Sequence, residues 1–344
     1  MTVDRMRLLV WIVAISTSTL SDDRIIANSQ ADMQQPDVSL LMSACELAGP
    51  RSREERFYRM ESTLVHRETD GTKKGQISYR LLLQITPGRD PGGSDDVYTS
   101  RGFAVEREGE APVLIHELDD FSYEYREGVD DKGQIFGLDQ SRFQFLSARV
   151  GEDLGVEEAY FVFNTFVDFH TFLNVLSTGE SISALKRVGD STKHSSSFST
   201  PPLHLGDMVQ EGSVFTSGEI TMRFDGYGLA GGRPCALVTY DGGDSYIRMK
   251  MVPAPNMLVE VDGYAHYSGT MWIDIVSRWI GRVELDEVVS TRTMMGESTI
   301  DRAVTLRSTV IESLSGSEFK GLLDERSDPG STSSYRFPLS PKRP

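Results

Sequence analysis

Cysteine is scarce: the 344-residue chain holds two, Cys45 and Cys235, and neither sits in a C-x-x-C pair. That removes structural zinc sites and thioredoxin-like redox chemistry from consideration. An exported chain could join the two, but sequence separation sets no distance between them, and a small buried thiol is the commoner role for Cys235. Positive charge is also short. Thirty-five Lys and Arg face 51 Asp and Glu, a formal net charge of -16. A phosphate backbone would be repelled over most of such a surface, so the composition argues against nucleic acid and disfavours tight docking to anionic lipid heads. Catalytic signatures are missing. His116-Glu117 opens an H-E-x-x-H string, but Asp120 stands where the second histidine belongs, and no G-x-S-x-G elbow occurs. No pattern asks for a cofactor or a metal, and the chain reads as non-enzymatic. A hydrolase built on dispersed carboxylates is the remaining catalytic reading.

Long apolar runs are absent except at the start. Residues 1–21 carry Arg5 and Arg7, then an apolar core from Leu8 to Leu20. A spanning helix needs about 20 apolar residues, so this length fits a secretory signal instead. Cleavage is expected between Ser21 and Ala31, leaving no transmembrane span in the mature chain and placing it in a periplasm or outside the cell.

What the chain has in quantity is alternation. From Glu219 to Leu314, apolar residues recur at every second position: Ile220, Met222 and Phe224; Ile247, Met249 and Met251; Met271 and Ile273; Val283, Leu285 and Val289; Val304, Leu306 and Val310. A side-chain period of two lets each strand bury one face and wet the other. Earlier strands are expected at Tyr58–Leu64, Gln76–Ile85, Phe103–Arg107, Val113–Leu118 and Phe121–Tyr125. One segment has a different period. Val162, Phe166, Phe169, Leu173 and Leu176 form a single helical stripe within Val156–Leu176, with Asn164, Asp168 and Thr171 opposite. Asp37–Leu47 suggests a further short helix.

Breakers set the organisation. One β-rich domain is expected over residues 36–315, with a sub-boundary at the Ser-rich stretch 191–202 and a disordered tail over 324–344. The glycines Gly226, Gly228 and Gly231 match G-x-G-x-x-G literally, but a strand follows them, so they read as a hairpin. Asp241–Ser245 reads as a second hairpin turn rather than a calcium loop. His170 flanks the helical stripe and reads as a partly buried spacer.

The fold class expected is α+β, mainly β: a curved antiparallel sheet, an unclosed barrel, wrapped over one principal helix. Met222, Phe224, Met249, Met251, Met257 and Met271, facing Phe166, Phe169 and Leu173, are the candidate site residues. Methionine is flexible and polarisable, which suits a cavity for varied apolar ligands. Plain core under the helix is the other reading of the same residues.

The hairpin Tyr267–Glu287 (YSGTMWIDIVSRWIGRVELDE), with Gly269-x-x-Trp272-Ile273-Asp274, and the upstream Gly232-Arg233-Pro234-Cys235-Ala236-Leu237 resemble the periplasmic lipoprotein-carrier superfamily (LolA/LolB-like and RseB sensor domain-like). The resemblance, concentrated in residues 219–314, implies an unclosed barrel over helices with an apolar cavity for acyl chains. It implies a lipid or lipoprotein partner. No residue role is carried over from it. An envelope interaction module with a protein partner and no small ligand is the alternative function.

Overall fold

The structure, a computed structural model, describes residues 46–89, 95–124, 138–176, 182–194, 199–200, 209–216, 218–254 and 257–327. Expectations for the N-terminal signal, for residues 37–45 including Cys45, and for residues 328–344 lie outside them; Glu46 and Leu47, expected at the end of a short helix, are not helical, and Leu47 is buried in the core. Among these residues stands one antiparallel sheet. Its strands are β1 (Arg56–Glu68), β2 (Lys73–Thr86), β3 (Val97–Arg107), β4 (Val113–Leu114), β5 (Ser122–Glu124), β6 (Ser191–His194), β7 (Ser199–Thr200), β8 (Val214–Thr216), β9 (Ile220–Ala230), β10 (Arg233–Ala254), β11 (Met257–Asp274), β12 (Ile280–Met295) and β13 (Ser298–Leu314). The spatial order β4-β3-β2-β1-β13-β12-β11-β10-β8-β7 leaves the sheet open. The meander β9–β13 is continuous, and β1 closes onto β13 from Phe57↔Leu314 to Glu68↔Ala303.

Alternation is what the strands obey. In β1, Tyr58, Met60, Ser62, Leu64 and His66 are buried while their neighbours are partly exposed. The β9–β10 connection is a two-residue turn with Gly231 and Gly232 at φ of +57° and +75°, the left-handed geometry that twists with the strands. Of the three glycines expected in a hairpin, Gly231 makes the turn, while Gly226 and Gly228 lie within β9, paired with Leu237 and Cys235.

The helices are α1 (Phe145–Arg149), α2 (Val156–His170) and α3 (Gly316–Ser327). α2 starts where expected and continues as a π-helical turn over Thr171–Leu176. Its first turn carries Glu157 and Glu158, and a carboxylate at Glu158 suits the positive end of the helix dipole. Glu158 also accepts from the Gly155 backbone N–H at 2.6 Å and from Arg107 of β3 at 2.6 Å.

Several local readings are corrected. Asp241–Ser245 makes no turn. β10 runs through it for 22 residues, and the register steps from Gly242↔Tyr267 to Ser245↔Ala265, a bulge. On its other edge β10 pairs with β9 up to Gly242 and with β8 from Tyr246, so the bulge lies where the neighbour changes. Val113–Leu118 is a two-residue strand followed by a single 3-10 turn at His116–Leu118. The stretch 191–202, expected as a boundary loop, supplies β6 and β7, which pair with β9 and β8. Residues 324–327, expected in a disordered tail, are the last turn of α3. Ser315 caps that helix: its Oγ accepts from the Glu318 N–H at 3.2 Å, and the Glu318 carboxylate accepts from the Ser315 N–H at 2.8 Å.

Candidate ligand-binding face

α2 lies on one face of the sheet, and registers carry residue rows across that face. One row is apolar: Phe103, Leu81, Met60, Ile311, Val283, Met271 and Val238 are register neighbours in turn. Against it pack the helix aromatics. Phe166 stacks on Phe103 with centroids 5.9 Å apart, and Phe169 meets Tyr58 edge-on at 5.5 Å. Met222 and Phe224 reach the same cluster from β9, and Leu173 from the π turn. All six candidate residues Phe166, Phe169, Leu173, Met222, Phe224 and Met271 are fully buried in this one core.

The other three candidates lie elsewhere. Met249 and Met251 of β10 form a second cluster with Val259 and Val261 of β11, and Met257, Ile247 and Val156 pack against it. The structure thus divides the expected set in two: a core filled by packed rings under α2, and a methionine-rich zone at the far end of β10 and β11.

Between the zones runs a polar band that the periodicity concealed. Arg307 of β13 is buried on the helix-covered face, where it donates to Asp168 of α2, to Glu287 of β12 at 3.1 Å and to Ser62 Oγ at 2.9 Å. Ser62 in turn shares a hydrogen bond with Thr309 at 2.8 Å. Asp168 was expected on the side of the helix away from the sheet; the salt bridge turns it inward. In β13 the apolar alternation of Val304, Leu306 and Val310 therefore belongs to the opposite face, and Ala303, Thr305, Arg307, Thr309 and Ile311 face α2. The one signal available was an arginine inside a strand with no acidic neighbour in the chain. Burial raises the carboxyl pKa values of Asp168 and Glu287, and the Arg307 guanidinium pulls them part of the way back.

Two buried histidines lie at the ends of the helix. His66 shares a hydrogen bond with Thr305 at 3.0 Å, and its other ring nitrogen lies 3.8 Å from Glu157. Burial, with the Lys74 charge second, pushes the His66 pKa down to about 4, while burial, reinforced by Glu158, pushes Glu157 up to about 8. At the C-terminal end, His170 is fully buried rather than a partly covered spacer, and burial drives its pKa down to about 3. Cys235 is buried as well, its thiol pushed up to about 11 by burial. Among the described residues no cluster of His, Cys, Asp or Glu has the geometry of a metal site, and no helix is long and apolar enough to cross a membrane.

No family model and no curated protein matches the chain, so the lipoprotein-carrier resemblance rests on its hairpin residues alone. Among solved structures the chain is similar to lipovitellin, studied for its lipid–protein interactions, at 8% identity and a TM-score of 0.38 over 78% of this chain. It spans about a quarter of that protein, 26% of the chain. It is also similar to the outer membrane protein OmpT of Vibrio cholerae. The trimer form gives 8% identity and a TM-score of 0.19, covering 76% of this chain and 99% of that one. A loop-deletion variant of OmpT gives 10% and 0.20 over 76% and 99%. Scores of this size carry no argument about fold or function, and the architecture stands on its own strand order and register: a large, open, antiparallel sheet laid over one principal helix.

Proposed function

We propose that this protein is an exported, non-enzymatic carrier that holds an acyl chain or similar apolar ligand on the helix-covered face, at the Met249–Met251 end. The observation that carries the reading is the segregation of that cluster from the core. α2 has 15 residues and β10 has 22. At ~1.5 Å per helical and ~3.3 Å per strand residue, the helix covers about 22 Å of a strand about 70 Å long. α2 meets the methionine zone at its first residue, Val156, which packs against both clusters, so most of the zone's packing comes from β10 and β11. Met249, Met251 and Met257 are unbranched and adaptable, and each methylene buried against them contributes about 0.8 kcal/mol. Asp168 and Glu287, two acids of this face, are engaged by Arg307, which favours a binding role for them over hydrolysis. Export rests on the apolar stretch Leu8–Leu20 behind two arginines.

The interaction-module reading draws on Leu258, Met295 and Ile300, which are 45%, 42% and 38% exposed at the same end of the sheet. One experiment separates the two. The delipidated full chain is titrated with a fluorescent fatty acid, alongside a Met249→Gln/Met251→Gln double variant. Saturable binding that weakens at least tenfold in the variant is expected. Absence of saturable binding, with a stoichiometric protein recovered from envelope extracts, overturns the carrier reading in favour of the module.

A further inference from the structure

The opposite face of the sheet carries a groove that the carrier reading does not use. α3 crosses over β1 on that side: Phe319 is buried against Phe57 with ring centroids 4.8 Å apart. Beside this contact the helix stands off from β2, β3 and the His116–Leu118 turn, leaving a cleft of about 620 Å³. Phe57, Leu114, Phe319 and Leu323 supply its apolar wall. A volume of this size lies in the range of small-molecule sites, about 300–1,000 Å³.

The far end of α3 is fastened in a way that shapes the groove. Arg326 donates to the Arg101 carbonyl at 2.9 Å and to Asp119 at 2.6 Å, lying flat on the strand over Gly102. A Cβ on Gly102 would stand 2.7 Å from an Arg326 guanidinium nitrogen, so the close approach needs glycine. Arg101 is paired with Asp120 in the same way. The two acids of the lining are thus each met by an arginine. The ammonium of Lys320 is left at the rim, and it makes no ion pair among the described residues. Three basic side chains against two acidic ones make the groove locally positive in a chain of formal charge -16.

We propose that this groove is a binding site for a small amphiphile with one anionic head, a medium-chain fatty acid being the simplest member, its carboxylate at Lys320 and its chain along Phe57, Leu323 and Leu114. The Lys320 ammonium at the rim can meet an anionic head, and a small inorganic anion would leave the apolar wall wet. The inference is independent of the Met249–Met251 site.

The test uses the delipidated full chain, decanoate and decanol in calorimetry, and a diazirine-bearing decanoate analogue for cross-linking with peptide mapping. Label is expected within residues 316–327 or at 113–120. Lys320→Glu, at an exposed helix position, is expected to weaken decanoate binding at that site at least tenfold while changing decanol binding less than twofold. The Met249→Gln/Met251→Gln variant is expected to leave this labelling unchanged. Label confined to β10 and β11, no label at all, or unaltered decanoate affinity in the Lys320→Glu protein overturns the proposal. The first of those outcomes leaves the carrier reading standing.

Discussion

Asn174 donates its side-chain amide to Nδ1 of His170 at 2.7 Å. The direction is set by the amide oxygen, which accepts from Arg51 at 3.0 Å and from the Tyr98 hydroxyl at 3.2 Å. His170 is thereby held as the neutral tautomer with its proton on Nε2, facing the Tyr123 hydroxyl at 2.8 Å. The chain from Arg51 to Tyr123 ties the π turn after α2 to β3 and β5 without using a net charge on the imidazole.

That arrangement makes the fold acid-sensitive. His170 and His66 have folded pKa values near 3 and 4, below the ordinary 6.5. The unfolded chain binds protons that the folded chain refuses, so their contribution is complete above about pH 6.5 and is lost as pH falls through about 4 for His66 and about 3 for His170. The midpoint temperature of unfolding is expected to drop over that window. His170→Asn should flatten the drop; an unchanged slope in this variant and in His66→Gln would refute the assignment.

Glu157 acts in the opposite direction. Its folded pKa is raised to about 8 from 4.5, so the folded chain holds a proton that the unfolded chain releases. Its contribution is complete below about pH 4.5 and is lost as pH rises through 8. Glu157→Gln keeps the neutral shape and is expected to be more stable than the parent at pH 9 and equal to it at pH 4. Urea unfolding at the two pH values reads this directly.

Arg307 bridges helix and sheet between two carboxylates. Removing it alone, as Arg307→Met, leaves Asp168 and Glu287 buried without their cation, and a loss of about 3–5 kcal/mol is expected. The triple change Arg307→Met, Asp168→Leu and Glu287→Leu removes the charges together and should recover most of that loss. Chemical denaturation of the two variants compares them, and a triple variant as weak as the single one would contradict the account.

Gly102→Ala places a methyl group where the Arg326 guanidinium lies. The clash is with the end of a flexible side chain, so the global cost is expected to be about 1 kcal/mol, the size of a displaced hydrogen bond. The local effect is larger: amide exchange over residues 316–327 should quicken while that of β1 and β13 does not.

Some of this was legible in the chain and some was not. The meander from β9 to β13 and the span of α2 followed from periods of two and of 3.6, because those patterns are local and repeat many times. α3 was missed because it offers only Phe319, Leu322 and Leu323 as apolar anchors, with Gly321 among them. The Gly-Gly in Asp241–Ser245 carries the same turn chemistry whether a hairpin or a bulge uses it. What decides is the partner strand: β11 pairs with β10 on both sides of that point.

The sequence alone determined that this is an antiparallel β protein with one aromatic helix, since alternation and helical spacing dictate which faces must be buried; that the sheet stays open is read from its strand order. Only the tertiary structure decided that Phe166, Phe169, Leu173, Met222, Phe224 and Met271 fill one core while Met249, Met251 and Met257 stand apart. It alone turned Asp168 toward Arg307. Side-chain period names the face a residue is on; how far a 15-residue helix reaches along a 22-residue strand is settled only by packing.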